Sequence, residues 1–237
     1  MTRVGKKYIE KTNLIVKEKV YSPEEAVDIV KKIATANFDE TVELHMKTWS
    51  DPKHADQLIR GVAMLPHGTG KKVRVMAFVE GEAAIVAQEA GADYVADEAL
   101  IKKIEGGWVD FEVSIATPDA MGKIGKLGRV LGRKGLMPNA KTGTVVKQED
   151  LPKAIEDAKK GRVEFKMDRT AIIHVTLGKA SFEARHLLEN MTMVVDQIIR
   201  NRPGALKGPF IKSAFLTTTM GPSIKLDLAS TSELTVE

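Results

Sequence analysis

The chain has 237 residues, 43% hydrophobic and 29% charged, with a net charge of +4. That composition describes a globular protein of one large or two ordinary domains and excludes a disordered or membrane-embedded one. No apolar run approaches the ~20 residues of a membrane span. There is no cysteine, so disulfide frameworks and thiolate metal sites are excluded.

The N-terminal stretch is basic but lacks the continuous apolar segment of a secretory signal. Ser22-Pro23-Glu24-Glu25 then reads as a helix start. Ser22 is placed to cap, Pro23 suits the first turn, and Glu25 completes a capping box. Ala26, Val27, Val30, Ile33 and Ala34 follow at helical spacing. In Thr41–Lys47 apolar Val42, Leu44 and Met46 alternate with Thr41, Glu43, His45 and Lys47, which predicts a strand with one polar face. A second strand, Ile59 to Leu65, ends at the flexible Pro66-His67-Gly68-Thr69-Gly70.

Beyond that junction the pattern alternates. Strands are expected at Val73–Val79, Asp93–Ala96 and Phe111–Ala116, with helices at Glu82–Ala90, at Glu98–Ile104 and after Pro118. Such alternation indicates βαβ units and a parallel sheet. A further strand at Thr144–Lys147 and a helix at Asp150–Lys160 precede Gly161. The last third returns to alternating strands, Arg162–Asp168 and Ile172–Leu177. Ser181 is placed to cap a long amphipathic helix whose buried stripe holds Phe182, Leu187, Leu188, Met191, Val194, Val195 and Ile198. Two strands, Ile211–Thr219 and Ile224–Leu228, flank Met220-Gly221-Pro222. The outer thirds share an α+β style and the middle an α/β style. The expected organisation is therefore a discontinuous outer domain, 1–67 with 161–237, and an inserted domain, 68–160.

Charge placement is uneven. Ten acids stand between Glu80 and Asp119 against Lys102 and Lys103, whereas Met121–Lys147 carries seven cations and no acid. Within it, Met121–Lys141 interleaves five glycines with six cations. Cations attract phosphate and glycine permits close backbone approach, so this strip is a candidate for binding RNA. A solvated basic face is the alternative.

Enzyme signatures fail when tested residue by residue. Gly70-Lys71 is followed by Lys72, so no phosphate loop with a magnesium-binding hydroxyl forms. No dinucleotide Gly-x-Gly-x-x-Gly and no Gly-x-Ser-x-Gly elbow occurs. The five histidines lack metal-site spacing. The carboxylate pairs Glu24-Glu25 and Glu149-Asp150 sit at expected helix starts, where they complement the dipole. No cofactor is implied.

Binding features are easier to find. Phe38 precedes the polar strand face and either stacks on a base or closes the apolar stripe of the first helix. Lys166, Arg169 and His174 belong to the strand pair of the last third, as RNA contacts or as ordinary surface charge. Thr217-Thr218-Thr219-Met220-Gly221-Pro222 makes a turn with hydroxyl donors suited to ribose.

Several motifs together resemble the universal large-subunit ribosomal protein L-one family, in its bacterial form. They are Phe38-Asp39-Glu40-Thr41-Val42-Glu43, Leu65-Pro66-His67-Gly68-Thr69-Gly70-Lys71, Gly132-Arg133-Lys134-Gly135-Leu136-Met137-Pro138 with Lys141 and Gly143, Ile173-His174 with Gly178-Lys179, and Thr218-Thr219-Met220-Gly221-Pro222. The likeness runs nearly end to end. It implies a split β-α-β RNA-binding domain and an inserted Rossmann-like three-layer α/β domain without a nucleotide cofactor. It also implies a non-catalytic, ribosome-bound cytoplasmic protein, monomeric when free and not associated with membrane. Its implied partners are an rRNA stalk near the tRNA exit site, departing deacylated tRNA, and its own mRNA, whose translation it represses. An RNA-processing enzyme built on the middle domain is the alternative. The resemblance places the main RNA surface at Phe38, Thr41, Glu43, Arg169, Thr219, Met220 and Gly221, with Lys166 and His174 adjacent. A secondary contact falls at Arg129, Arg133, Lys134 and Lys141. Ala171 stands where many relatives have Gly, and Ala140 where many have Pro, which leaves both local turns open.

Overall fold

The computed structural model describes residues 5–16 and 18–234. The chain has a mixed α/β fold and divides into two compact units. Residues up to Gly70 join those from Val163 onward, and Lys71–Arg162 form the second unit.

The first unit opens with helix α1 (Lys6–Asn13), which no apolar period announced, because its one buried side chain is Lys11. Helix α2 (Pro23–Ile33) starts as its sequence dictates: the Ser22 hydroxyl accepts the Glu25 amide at 3.3 Å. Strand β1 (Thr41–Thr48) buries Val42, Leu44, Met46 and Thr48 and turns its alternate residues outward. Strand β2 is Arg60–Met64.

In the second unit strands β3 (Val75–Phe78), β4 (Tyr94–Val95) and β5 (Val113–Ala116) form a parallel sheet in the order β4-β3-β5. Helices α3 (Glu82–Glu89) and α4 (Glu98–Glu105) follow the first two strands. Short helices α5 (Met121–Ile124) and α6 (Gly128–Leu131) follow the third, and α7 (Leu151–Lys160) ends the unit. Two apolar clusters use opposite parities of β3. Val75 and Ala77 pack with Ala83, Ala87, Leu151 and Ile155, while Met76 and Phe78 pack with Ile104, Ile124, Leu127 and Leu131. Strand alternation thus places α3 and α7 on one face and α4 with the 124–131 segment on the other. The expected strand at Thr144–Lys147 is a single bridge from Val145 to Ala116, since buried Thr142 and Thr144 use their hydroxyls to hold the loop at Asn139. Gly161 ends α7 with φ 116°, a left-handed conformation that favours glycine.

The chain then returns to the first unit through β6 (Arg162–Lys166), paired with β2, and β7 (Ile172–Lys179). Helix α8 (Ala184–Arg200) carries the buried stripe, with Phe182 and Leu188 packed at its margin. Ser181 does not cap it. The helix begins three residues later, and Ser181 instead bonds Asp39 through its amide (3.1 Å) and hydroxyl (2.7 Å). Strands β8 (Ile211–Thr218) and β9 (Ile224–Lys225) and a short helix α9 (Leu228–Ser232) complete the unit. The main sheet has the order β7-β1-β8-β9, and β1 is antiparallel to both neighbours. One core joins the inward residues of these strands to Ala26, Val27, Val30 and Ile33 of α2 and to Leu187, Met191, Val194, Val195 and Ile198 of α8.

Candidate nucleic-acid interface

With α2 and α8 on one face of the main sheet, the outward residues of its strands form the other. Register sets them side by side. Glu43 lies between Thr176 and Thr217, and His45 between His174 and Phe215. At one end of this face the chain builds a corner from three segments, 36–41, 179–181 and 217–221.

Glu40 organises the corner. It is only 1% exposed, yet it is fully used: one carboxylate oxygen accepts the Ala36 amide (2.9 Å), the other accepts the Met220 amide (3.0 Å), and Lys11 Nζ lies 3.6 Å away. Burial pushes its pKa up, but the two amides and Lys11 outweigh burial and hold it below the ordinary carboxylate value. Thr219 is pinned to β1. Its hydroxyl accepts the Thr41 amide at 3.0 Å, and its own amide donates to the Thr41 carbonyl at 3.1 Å. Lys179 Nζ bridges the Asp39 carbonyl and the Thr41 hydroxyl, each at 3.1 Å. The turn closes through Gly221, whose amide donates to the Thr218 carbonyl at 3.1 Å. A Cβ at Gly221 would fall 2.3 Å from Thr218 Oγ1, so only glycine fits. On this scaffold two apolar side chains stand free: Phe38 is 53% exposed and Met220 58%. Phe38 therefore does not close the stripe of the first helix.

The residues singled out in the sequence do not form one cluster. Phe38, Thr41, Thr219, Met220 and Gly221 share the corner. Glu43 and His174 lie in mid-sheet. His174 Nδ1 is 2.8 Å from His45 Nδ1, so one ring donates and the other accepts. Glu43 is 3.7 Å from the His45 Nε2, and Asp168 is 3.6 Å from the His174 Nε2. Burial first, then His174, lowers the His45 pKa against the opposite pull of Glu43. Arg169 lies beyond the other end of β1. It sits in a turn tied by Asp168 Oδ1, which accepts the Thr170 and Ile172 amides at 2.8 Å. Thr48, at the far end of β1, donates to the carbonyl of Ala171 in the same turn. Six residues of strand separate Thr41 from Lys47, about 20 Å. Lys166 ends β6 with its side chain exposed, beside that turn. Ala171 keeps a left-handed φ of 62°, so the turn retains a glycine-like backbone without glycine. The 139–142 turn also forms without proline, through Asn139 Oδ1 accepting the Lys141 amide at 2.8 Å.

Glu40, Lys11 and Lys179 carry supporting roles that the sequence did not disclose. Their partners lie up to about 180 residues away, and the only local signal was that Glu40 and Lys179 fall inside distinctive motifs.

The basic strip belongs to the second unit and is built differently. From Met121 to Lys134 the chain is a run of short α and 3-10 turns that buries Ile124, Leu127 and Leu131. An added Cβ at Gly122, Gly125, Gly128 or Gly132 would meet nothing within 4 Å. The glycines thus do not serve close packing; they leave a bare backbone surface. Lys123 pairs with Glu80 at 3.0 Å. Among the described residues Lys126, Arg129, Arg133, Lys134 and Lys141 have no carboxylate partner, and all five are exposed.

The model of the ribosomal protein L1p/L10e family matches residues 30–222. The large ribosomal subunit protein uL1 of Dehalococcoides mccartyi is 58% identical over 234 residues, covering 99% of each chain. The protein of the same name from Thermomicrobium roseum is 55% identical over 234 residues, covering 98% of this chain and 97% of its own. This likeness lies with structural proteins of the ribosome and not with enzymes, and the chain belongs to the ribosomal protein L1p/L10e family.

Proposed function

We propose that this chain is a cytoplasmic protein of the large ribosomal subunit that binds an rRNA stalk near the tRNA exit site. There it assists release of deacylated tRNA, and away from the ribosome it represses translation of its own mRNA. The outer unit is read as a split β-α-β RNA-binding domain and the inserted unit as a Rossmann-like domain that uses no nucleotide. The observation that carries this reading is the Glu40-centred corner. A buried carboxylate and a glycine turn hold the backbone from which Phe38 and Met220 stand exposed. Such a surface recognises the shape of folded RNA: the apolar tips contact bases and ribose, and backbone groups meet 2′-hydroxyls. The exposed cations of the strip add a second, salt-dependent contact.

Binding of the chain to a fragment of the rRNA stalk tests this. Met220→Ala removes roughly 1–1.5 kcal/mol of apolar contact, about a tenfold loss of affinity. The combined Arg133→Gln and Lys134→Gln change leaves corner recognition in place but lowers the salt slope by about one per lost phosphate contact. Equal affinity for the stalk fragment and an unrelated hairpin would overturn the reading. Because both RNAs use one surface, the stalk fragment displaces the chain's own mRNA leader. Simultaneous binding of both would remove the repressor role.

A further inference from the structure

At the end of the sheet opposite the corner stands Trp49, immediately after β1 and 52% exposed. It continues the outward parity of Glu43, His45 and Lys47. Its backbone is pinned on both sides. The Trp49 amide donates to the Phe210 carbonyl at 2.9 Å, and its neighbours Thr48 and Ser50 are buried. Thr48 is hooked to Ala171 through both its amide (2.9 Å) and its hydroxyl (3.1 Å). The indole therefore projects from a strand end whose backbone is held. Lys212 Nζ lies 4.3 Å from its ring centroid. Lys47 is one pleat behind, and Arg169 sits in the turn that Thr48 holds. Among the described residues none of these three cations has a carboxylate partner. The two nearby acids are engaged elsewhere. Asp168 accepts from Thr170 and Ile172 and faces His174 at 3.6 Å, and Asp51 accepts the Lys53 amide at 2.9 Å and faces His54 at 3.9 Å.

A half-exposed indole with Lys212 over its ring, and with Lys47 and Arg169 on the adjoining strand and turn, matches the chemistry of an unpaired nucleotide. The base stacks on the ring, and the phosphate takes the cations. We propose that Trp49, with Lys212, Lys47 and Arg169, is a second nucleotide-binding site, which stacks an unpaired base of the same RNA whose folded part sits at the Thr219–Gly221 corner. This rests on the RNA-binding reading above. The eight-residue step from Thr41 to Trp49 spans about 26 Å, so only RNA extending that far beyond the corner engages the indole.

The chain contains two tryptophans, so a Trp108→Phe background isolates the emission of Trp49. Titration with a stalk fragment that carries flanking unpaired nucleotides should quench that emission at the stoichiometry seen by gel shift. A fragment trimmed to the folded core should bind without quenching. In the otherwise unaltered chain, Trp49→Ala should weaken the extended fragment roughly tenfold to a hundredfold and leave the trimmed one unchanged, while Trp49→Phe retains part of the difference. If the extended fragment binds tightly with Trp49 emission and Trp49→Ala affinity both unchanged, the site is refuted and the corner's role stands. If neither fragment binds the unaltered chain, the RNA-binding reading falls and this site with it. Quenching by a ribosomal protein but not by RNA would assign the indole to a protein contact and overturn the proposal.

Discussion

The corner at Glu40 and the strip at Met121–Lys134 are the two most distinctive stretches of the molecule, and they are built by opposite means. In the corner Glu40, Thr41, Lys179 and Thr219 have partners inside the protein, a Cβ at Gly221 would meet the buried Thr218 hydroxyl, which has no hydrogen-bond partner among the described residues, and Phe38 and Met220 are exposed. In the strip the glycines are enforced by nothing, and among the described residues four cations, Lys126, Arg129, Arg133 and Lys134, lack counter-charges. A site that recognises shape is fixed before its ligand arrives. A site that supplies charge tolerates looseness, because phosphate attraction falls off gently with distance.

Substitutions sharpen that contrast. The largest effect is expected for Glu40→Ala, which strands two backbone amides and a nearly buried Lys11. It should cost about 3–5 kcal/mol of stability, measured by urea unfolding, and abolish corner binding. A loss under 1 kcal/mol would show that the corner is not preorganised. Glycine replacements should have opposite signs in the two regions. Gly221→Ala must displace the Thr218 hydroxyl and loses about 1–3 kcal/mol. Gly128→Ala sits in helical backbone with φ −54° and open space beyond, so it gains roughly 0.5–1 kcal/mol. If Gly128→Ala also weakens RNA binding while raising the melting temperature, the bare backbone is itself a contact surface. Equal signs for the two substitutions would dissolve the comparison.

The smallest effect is on pH dependence. The folded His45 binds its proton less readily than the unfolded chain, whose ordinary value is 6.5. Its contribution to stability is complete above 6.5 and is lost as pH falls through the lower folded value. Glu40 adds a second loss that begins below its ordinary 4.5. Thermal melts from pH 8 to 4 should decline in these two windows, and His45→Gln should erase the first alone. The neighbours Glu43, His174 and Asp168 remain in that variant, so an unchanged first window would show that His45 is not its source.

Much of this architecture could be read from local sequence. The two-residue period of Thr41–Lys47 and the Ser22-Pro23 start specify β1 and α2 because each depends on neighbours a few residues away. The Thr-Met-Gly turn was equally visible. What stayed hidden depends on distant partners. Nothing near Glu40 distinguishes it from Asp39 or Glu43, yet it alone is buried, because Ala36, Met220 and Lys11 converge on it. Ser181 has the composition of a helix cap, but Asp39, some 140 residues earlier, competes for it successfully.

The placement of β1 at the centre of its sheet has a consequence for synthesis. Its partners are residues 172–179 and 211–218, so the strand lies with both edges unpaired while more than a hundred further residues are made. Lys71–Arg162, by contrast, are contiguous and all available earlier. At translation rates of roughly 5–20 residues per second the wait is on the order of ten seconds. The charged and polar alternates along β1, Glu43, His45 and Lys47, keep that waiting edge soluble. The corner, which needs Thr219 and Met220, forms only after those residues follow Thr41 by some 178 positions, so it closes later than the contiguous second unit.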